Sequence, residues 1–287
     1  MAANTREIRR RIRSVKNIGQ ITKAMELVSA AKMRRAQGQA LASRPYSQIS
    51  SQLLKNLVSK IGAIDHPLAG HPQDGNFKKL IILVTSDRGL AGALNTNVIN
   101  AAVKLAKSEG QENVDFVTVG KKGADMIRRM KFNIVAAFGS KDRNISIFDA
   151  KSMAGIGISD FLSKKYDKVY IVYTNFISTL TQKANVIQLL PLASAPEDNA
   201  DEEYLFEPSA PLILDRLINR TIEFTVYQTL VEAAASEHSA RMVAMRNANQ
   251  AASDLIDDLQ LFYNQARQAG ITKELAEISA AKLAMEQ

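Results

Sequence analysis

The residues best placed to do chemistry form one turn, Ser86-Asp87-Arg88-Gly89-Leu90-Ala91-Gly92-Ala93-Leu94-Asn95, which follows an apolar run at Leu80–Thr85. A glycine-bearing turn between strand and helix is where many α/β proteins bind phosphate, because free backbone N–H groups and the helix dipole converge there. The spacing here is neither G-x-G-x-x-G nor a P-loop with its lysine, so a tight structural turn is the favoured reading. Gly120-Lys121-Lys122-Gly123, after the next apolar run, is read the same way, with two solvated lysines. His66, His71 and His238 lack metal-ligand spacing. His66 and His71 stand beside prolines in a loop, and His238 falls on a helix seam. No serine sits in a G-x-S-x-G elbow, and no carboxylate pair is set up for acid–base work. Glu197, Asp198, Asp201, Glu202, Glu203 and Glu207 make an acidic loop, expected to be solvated rather than to chelate. The expectation is no catalytic residue, no cofactor and no metal, and a mechanical or scaffolding task.

The elements that carry these residues follow from periodicity. From Leu212 to Ala269 the chain contains no glycine or proline. A helix of that length would extend roughly 85 Å at about 1.5 Å per residue, against a usual helix of about 11–12 residues. One seven-residue register reads Leu217, Phe224, Val231, His238, Met245, Ala252, Leu259, Ala266. The companion register reads Leu214, Thr221, Gln228, Ala235, Met242, Asn249, Ile256, Tyr263. These are a and d positions of a coiled coil interrupted by polar residues. The expected mate is the amino-terminal helix, Thr5–Arg44, whose apparent seam runs Ile8, Ile12, Val15, Ile18, Ile21, Met25, Val28. Pro45 marks an expected break, with a second helical stretch from Tyr46 to Ile61. Asp65–Asn76, with two prolines and two glycines, reads as a linker.

Between Lys79 and Leu192 the period shifts to strands rich in β-branched residues, at Leu80–Thr85, Val114–Val119, Val169–Tyr173 and Val186–Leu190, with Asn133–Phe138 as a fifth. Helical stretches at Ala93–Lys107 and Ala124–Arg129 alternate with them. The expected fold is therefore α/β: a long antiparallel coiled coil of the two terminal helices plus a Rossmann-like domain with a mostly parallel sheet. The corresponding segments are 1–62, 77–195 and 209–287.

Composition bounds the partners. The net charge of +8 resides entirely in residues 1–35, where Arg6, Arg9, Arg10, Arg11, Arg13, Lys16, Lys23, Lys32, Arg34 and Arg35 face only Glu7 and Glu26. Such a basic surface suits an acidic partner, anionic lipid or nucleic acid. The absence of aromatic platforms or a recognition motif argues against nucleic acid. Zero cysteines exclude disulfides, thiol switches and cysteine-ligated metals. No apolar run is long enough to span a bilayer. Met1–Arg13 lacks a secretory apolar block and is read as mature protein.

Four segments in order carry a resemblance: Ile18-Gly19-Gln20-Ile21-Thr22-Lys23-Ala24-Met25-Glu26-Leu27-Val28 on to Ala31-Lys32-Met33; Ser86–Gly92; Ser236-Glu237-His238 with Ala240–Met245; and Tyr263–Thr272 with Glu274-Leu275 and Glu277-Ile278. The chain resembles the gamma subunits of F-type ATP synthases over nearly its full length. The resemblance implies a non-catalytic central rotor that couples transmembrane ion flow, with the proton as the expected ion, to ATP synthesis and hydrolysis at the beta subunits. It implies alpha and beta subunits, the epsilon subunit and the membrane ring of c subunits as partners, and a peripheral place on the cytoplasmic face of the bacterial membrane. No nucleic acid and no small-molecule ligand are expected. By match to the family, Lys23 and Met25 meet an acidic lever segment of the catalytic subunits, and Arg241 holds the facing part of this coupling zone together. Arg267, Gln268 and Thr272 reach a loop of the catalytic ring. Arg9, Arg10 and Arg11 are expected to form a basic docking patch, and Ile271–Gln287 to act as a bearing tip.

Overall fold

The computed structural model describes residues 2–61, 67–68, 78–140, 145–192 and 210–285. The expected linker, apart from Pro67 and Leu68, lies outside the described residues, as do His66, His71 and the acidic loop. The chain divides into two compact units, Met1–Ser29 with Met242–Gln287, and Ala30–Arg241.

The larger unit is built on a five-stranded sheet of β1 (Lys78–Val84), β2 (Val114–Val119), β3 (Asn133–Phe138), β4 (Tyr166–Phe176) and β5 (Gln182–Leu190), in the order β3-β2-β1-β4-β5. The first four strands are parallel and β5 is antiparallel to β4. Helices α2 (Leu94–Ser108), α3 (Lys121–Arg129) and α4 (Ile147–Leu162) are the crossovers, so both faces of the central strands are covered and their residues read as unbroken apolar runs. Ile81, Leu83, Phe116 and Val172 pack on one face with Val98, Ile99 and Ala102 of α2 and Ile127 of α3. Leu80, Ile82, Val84, Val117 and Ile171 pack on the other with Ala150, Met153 and Ala154 of α4. The same core takes Ile218, Ile222, Val226 and Leu230 from α5 (Ala210–Met285), and Leu54 from α1 (Ala2–Ile61).

The Gly120–Gly123 motif is a packing device. Gly120 adopts φ +93°, and a Cβ there would stand 2.3 Å from the Thr85 carbonyl oxygen; one on Gly123 would stand 2.7 Å from Thr85 Oγ1. Thr85 Oγ1 donates to the Val119 carbonyl at 2.9 Å and accepts from the Gly123 N–H at 2.9 Å. The start of α3 is thereby pressed against the end of β1. Tyr166 and Tyr170 fix the opposite ends of the strands, donating to Asp115 (2.9 Å) and Glu109 (2.7 Å). Burial, reinforced by the carboxylate each one faces, pushes both phenols above their ordinary range.

Pro45 does not break the first helix. α1 is continuous from Ala2 to Ile61 with Pro45 inside it. A helical proline forfeits one hydrogen bond, and tertiary contacts on both sides hold the helix through it. Ser43 Oγ donates to Gln228 Oε1 at 2.6 Å, Arg44 pairs with Glu232 at 3.4 Å, and the Tyr46 ring lies 4.0 Å from that of Phe224. Met33, Ala36, Ala40, Ser50 and Leu54 are buried along the same side.

In the smaller unit the segments of α1 and α5 run antiparallel. Arg9 bonds Tyr263, Gly19 lies opposite Asn249 and Ala252, and Glu26 pairs with Arg246. Every α5 position in the two expected registers whose side chain is described is buried or half-buried. The α1 seam differs from expectation beyond Val15. The covered residues are Thr5, Ile8, Ile12, Val15, Gly19, Thr22, Met25, Glu26 and Ser29, so Met25 lies on the covered side as expected, while Ile18, Ile21 and Val28 are 51, 60 and 56% exposed. The reason is rotational. A seam advances by alternating steps of three and four, but Val15–Ile18–Ile21 takes two threes in succession and walks off it. Beyond Val15 the covered positions other than Met25 hold small or polar residues, and the apolar row of Ile18, Ile21 and Val28 lies outside.

Candidate functional site

The Ser86–Gly92 turn is closed from within. Ser86 N–H donates to Asn95 Oδ1 (3.1 Å), Asn95 Nδ2 donates back to Ser86 Oγ (2.8 Å), and Ser86 Oγ donates to the Arg88 carbonyl (2.6 Å). Leu90 and Gly92 take left-handed φ of 62° and 58°, which bends the chain into α2. Asp87 Oδ1 accepts from the backbone N–H of Lys121, the first residue of α3, at 2.9 Å and from Ser140 N–H at 3.2 Å. A carboxylate of the chain itself thus caps the N-terminus of α3, where the helix dipole favours negative charge.

Beside it lies a cavity of about 220 Å³ at the carboxyl ends of β1 to β4. Val84, Val119, Phe138, Met153 and Leu230 supply much of its wall, and Asp149 and Glu237 supply two carboxylates. Asp149 caps α4, accepting from Ser146 N–H and Oγ at 3.0 Å. The crevice stands where doubly wound sheets bind ligands, and both of its acids are engaged within the chain, Asp149 by Ser146 and Glu237 by Arg241. Among the described residues no cluster of His, Asp and Glu could hold a metal. His238 is buried in α5 at a seam position.

Around the turn, α5 makes a dense set of directed bonds. Ser236 Oγ donates to the Thr174 carbonyl of β4 at 3.0 Å, and Ser239 Oγ to the Thr179 carbonyl at 2.6 Å. Arg241 donates through Nε and Nη2 to the Gly89 carbonyl (both 3.3 Å) and through Nη2 to the Arg88 carbonyl (3.4 Å) and to Glu237 Oε1 (2.8 Å). The side chains of Arg241 and Glu237 are each only 9% exposed. Arg241 is therefore spent on the turn and on Glu237.

The remaining expected residues lie in the smaller unit. Lys23 Nζ reaches Glu26 Oε2 at 3.0 Å, and Arg246 Nε reaches Glu26 Oε1 at 3.2 Å. The bonds from Lys23 and then Arg246 hold the Glu26 carboxyl below its ordinary value of 4.5. Met25 is half-buried. Glu26 and Arg246 were not singled out by sequence, although an acid alone among basic neighbours was a usable sign. Arg9 bonds Tyr263 and lies over its ring, Arg11 pairs with Glu7 at 2.8 Å, and Arg10 is exposed. The structure thus engages two of the three arginines locally. Arg267 and Gln268 are exposed, and Thr272 Oγ1 donates to the Gln268 carbonyl at 3.0 Å. Gly270 does not end the helix, which runs to Met285. Ile271, Leu275 and Ile278 beyond it are exposed.

The class so defined is a protein of paired long antiparallel helices, with an outward apolar row, that also carries a doubly wound α/β sheet. The profile of the ATP synthase family matches residues 4–285. An ATP synthase gamma chain of Pelotomaculum thermopropionicum is 43% identical over 98% of this chain and 99% of its own length. One from Stenotrophomonas maltophilia is also 43% identical, over 96% and 97%. This chain belongs to the ATP synthase gamma-chain family. Among solved structures, a chain of the mitochondrial ATP synthase of Euglena gracilis, in an assembly of OSCP, F1 and c-ring, superposes with a TM-score of 0.70 at 20% identity, covering 99% of this chain and 95% of that one. A chain from the rotor of the same synthase superposes with a TM-score of 0.66 at 18% identity, covering 94% and 100%. At these identities the likeness concerns the fold.

Proposed function

We propose that this chain is the central rotor of a bacterial F-type ATP synthase, coupling proton flow to ATP synthesis and hydrolysis without chemistry of its own. The observation that carries this reading, beside family membership, is the inverted helix pair. Beyond Val15 the covered side of α1 is mostly small or polar, with Gly19, Thr22, Glu26 and Ser29, while Ile18, Ile21, Leu27 and Val28 of α1 and Leu255, Leu261 and Phe262 of α5 are exposed. Apolar rows of this size on a helical surface call for a surrounding partner. The proposed partners are the alpha and beta subunits around the helices, with the epsilon subunit and the ring of c subunits at the α/β domain. The proposed location is peripheral, on the cytoplasmic face of the membrane; no described helix is long and apolar enough to cross it. The proposed working segments are 1–62, 77–195 and 209–287. Within them Lys23 and Met25 meet the catalytic subunits, Arg267, Gln268 and Thr272 grip and release a loop of the catalytic ring, and Arg9, Arg10 and Arg11 aid docking.

Reconstitution with purified alpha and beta subunits tests this. A bead fixed to Lys107→Cys, unique in a chain without cysteine, should turn in one direction when ATP is added. A complex that assembles and hydrolyses ATP while the bead stands still overturns the reading. Charge-assisted hydrogen bonds contribute about 1.5–3 kcal/mol, so Arg267→Ala with Gln268→Ala should slow turnover about tenfold or more. Wild-type rates in an assembled complex would refute the assigned grip.

A further inference from the structure

We propose that Ser236, Ser239 and Arg241 form a torque clasp that fixes the angular position of the α/β sheet on helix α5. The inference rests on the rotor reading and deepens it by naming the residues through which the sheet is held against twisting. Three side chains within six residues of α5 reach three separate stretches of main chain: Thr174 at the end of β4, Thr179 in the β4–β5 turn, and Arg88–Gly89 in the β1–α2 turn. Apolar contact is non-directional and so fixes the rotation of a helix on a sheet less sharply than directed bonds do. The neighbouring Leu230, Ala233 and Ala234 present such a surface. Hydrogen bonds weaken steeply as their angle departs from linear, so three of them at separated places oppose roll in either sense.

The grip at each site is built to last. The Arg241 guanidinium is buried with its charge met by Glu237 at 2.8 Å, and Nε and Nη2 are directed at the Gly89 and Arg88 carbonyls. Burying such a pair is favourable only when further hydrogen bonds accompany it, and the turn supplies them. The turn itself is tied down on its far side. Ser86 locks to Asn95, and Asp87 holds Lys121 N–H at the start of α3 and Ser140 N–H just after β3. A load on Arg241 is thus passed to β1, α3 and the end of β3 together rather than to one loop. This gives the Ser86–Gly92 and Ser236–Arg241 motifs a joint task. Because every acceptor on the sheet is a main-chain carbonyl, the clasp reads the position of the sheet and not its side chains.

Spin labels at Lys107→Cys on α2 and Arg216→Cys on α5 test the clasp in the full complex, with the distance distribution between them as readout. The combined Arg241→Gln, Ser236→Ala, Ser239→Ala variant should broaden that distribution at least twofold. It should also lower ATP synthesis driven by an imposed gradient at least five times further than it lowers ATP hydrolysis by the complex released from the membrane ring, where the sheet carries no load. Arg241→Lys alone, keeping the charge beside Glu237, should restore at least half of the lost synthesis. Should the triple variant fail to assemble, Ser236→Ala removes one bond alone and should still broaden the distribution measurably. An unchanged width, or synthesis and hydrolysis falling in equal proportion, overturns the clasp. A wild-type complex whose bead does not turn refutes the rotor reading instead, and the label distances report on the clasp independently of it.

Discussion

Three helical glycines offer a graded test of how the packing around each decides stability. Gly38 sits in α1, and a Cβ built on it meets nothing within 4 Å. Gly38→Ala therefore gains only the helix propensity difference, about 0.8–1.0 kcal/mol. Gly19 lies on the seam, where a Cβ would stand 3.6 Å from Ala252 Cβ and 3.7 Å from Asn249 Oδ1, ordinary van der Waals distances. Gly19→Ala should gain the same propensity plus part of a buried methyl, which is worth up to about 0.8 kcal/mol. Gly157 in α4 is tighter, with a Cβ 3.3 Å from Cγ1 of the buried Val169. There the propensity gain is offset by crowding, and Gly157→Ala should leave stability unchanged or lower it. Amide hydrogen exchange followed by mass spectrometry reads all three, because each 1.4 kcal/mol is tenfold in an opening equilibrium. Exchange around Gly38 should slow about fivefold, around Gly19 about five- to twentyfold, and around Gly157 not at all. If Gly19→Ala accelerates exchange, or if the substitution at Gly157 stabilises as much as that at Gly38, the assignment of seam, open face and core contact is wrong.

Other expectations concern single groups. Asp87→Ala removes a carboxylate from two main-chain donors and should cost about 1.5 kcal/mol, a fall of about 3–6 °C in the melting of the larger unit by calorimetry; an unaltered midpoint would show that the carboxylate does not hold the turn. Gly120→Ala forces a side chain into a left-handed conformation against a carbonyl oxygen and should cost at least about 3 kcal/mol, so soluble expression at wild-type yield would contradict the packing described. The Glu26 carboxyl titrates below 4.5 when folded, so its stabilising pairs with Lys23 and Arg246 are fully present above that value and are lost as the pH falls through the lowered one. Wild type should melt later than Glu26→Gln at neutral pH and lose that advantage in acid, by circular dichroism; a pH-independent difference would count against the network.

Much of the architecture was legible in the sequence because periodicity reports burial. The α5 registers from Leu217 to Ala266 hold along the helix, and all five strands lie where β-branched runs suggested. The α1 seam misled because apolarity and burial part company there. Ile18, Ile21 and Val28 are apolar for the sake of an outer face, while Gly19, Thr22 and Ser29 are covered because small side chains let two backbones approach. Pro45 misled for a related reason, since the cost of one lost hydrogen bond is visible in sequence and the Tyr46–Phe224 contact that offsets it is not. Helix α4 went unread because Ile147–Leu162 mixes glycines with apolar residues all round. At the candidate site, the glycine-bearing turn at Ser86 was legible as a strand-to-helix turn, yet its attachment to Arg241 joins residues 152 apart, beyond any local pattern.

The bond between Arg9 and Tyr263 spans 254 positions, and that separation sets a waiting time during synthesis. At about 5–20 residues per second a ribosome needs roughly 13–50 s to deliver Tyr263 after Arg9 has emerged. For that interval the first helical segment has no mate, with Ile8, Ile12 and Val15 open to solvent. Like charges repel, so the cluster of arginines around them should hold nascent copies on neighbouring ribosomes apart. Neutralising that pattern should raise aggregation during translation even where the completed protein tolerates the change.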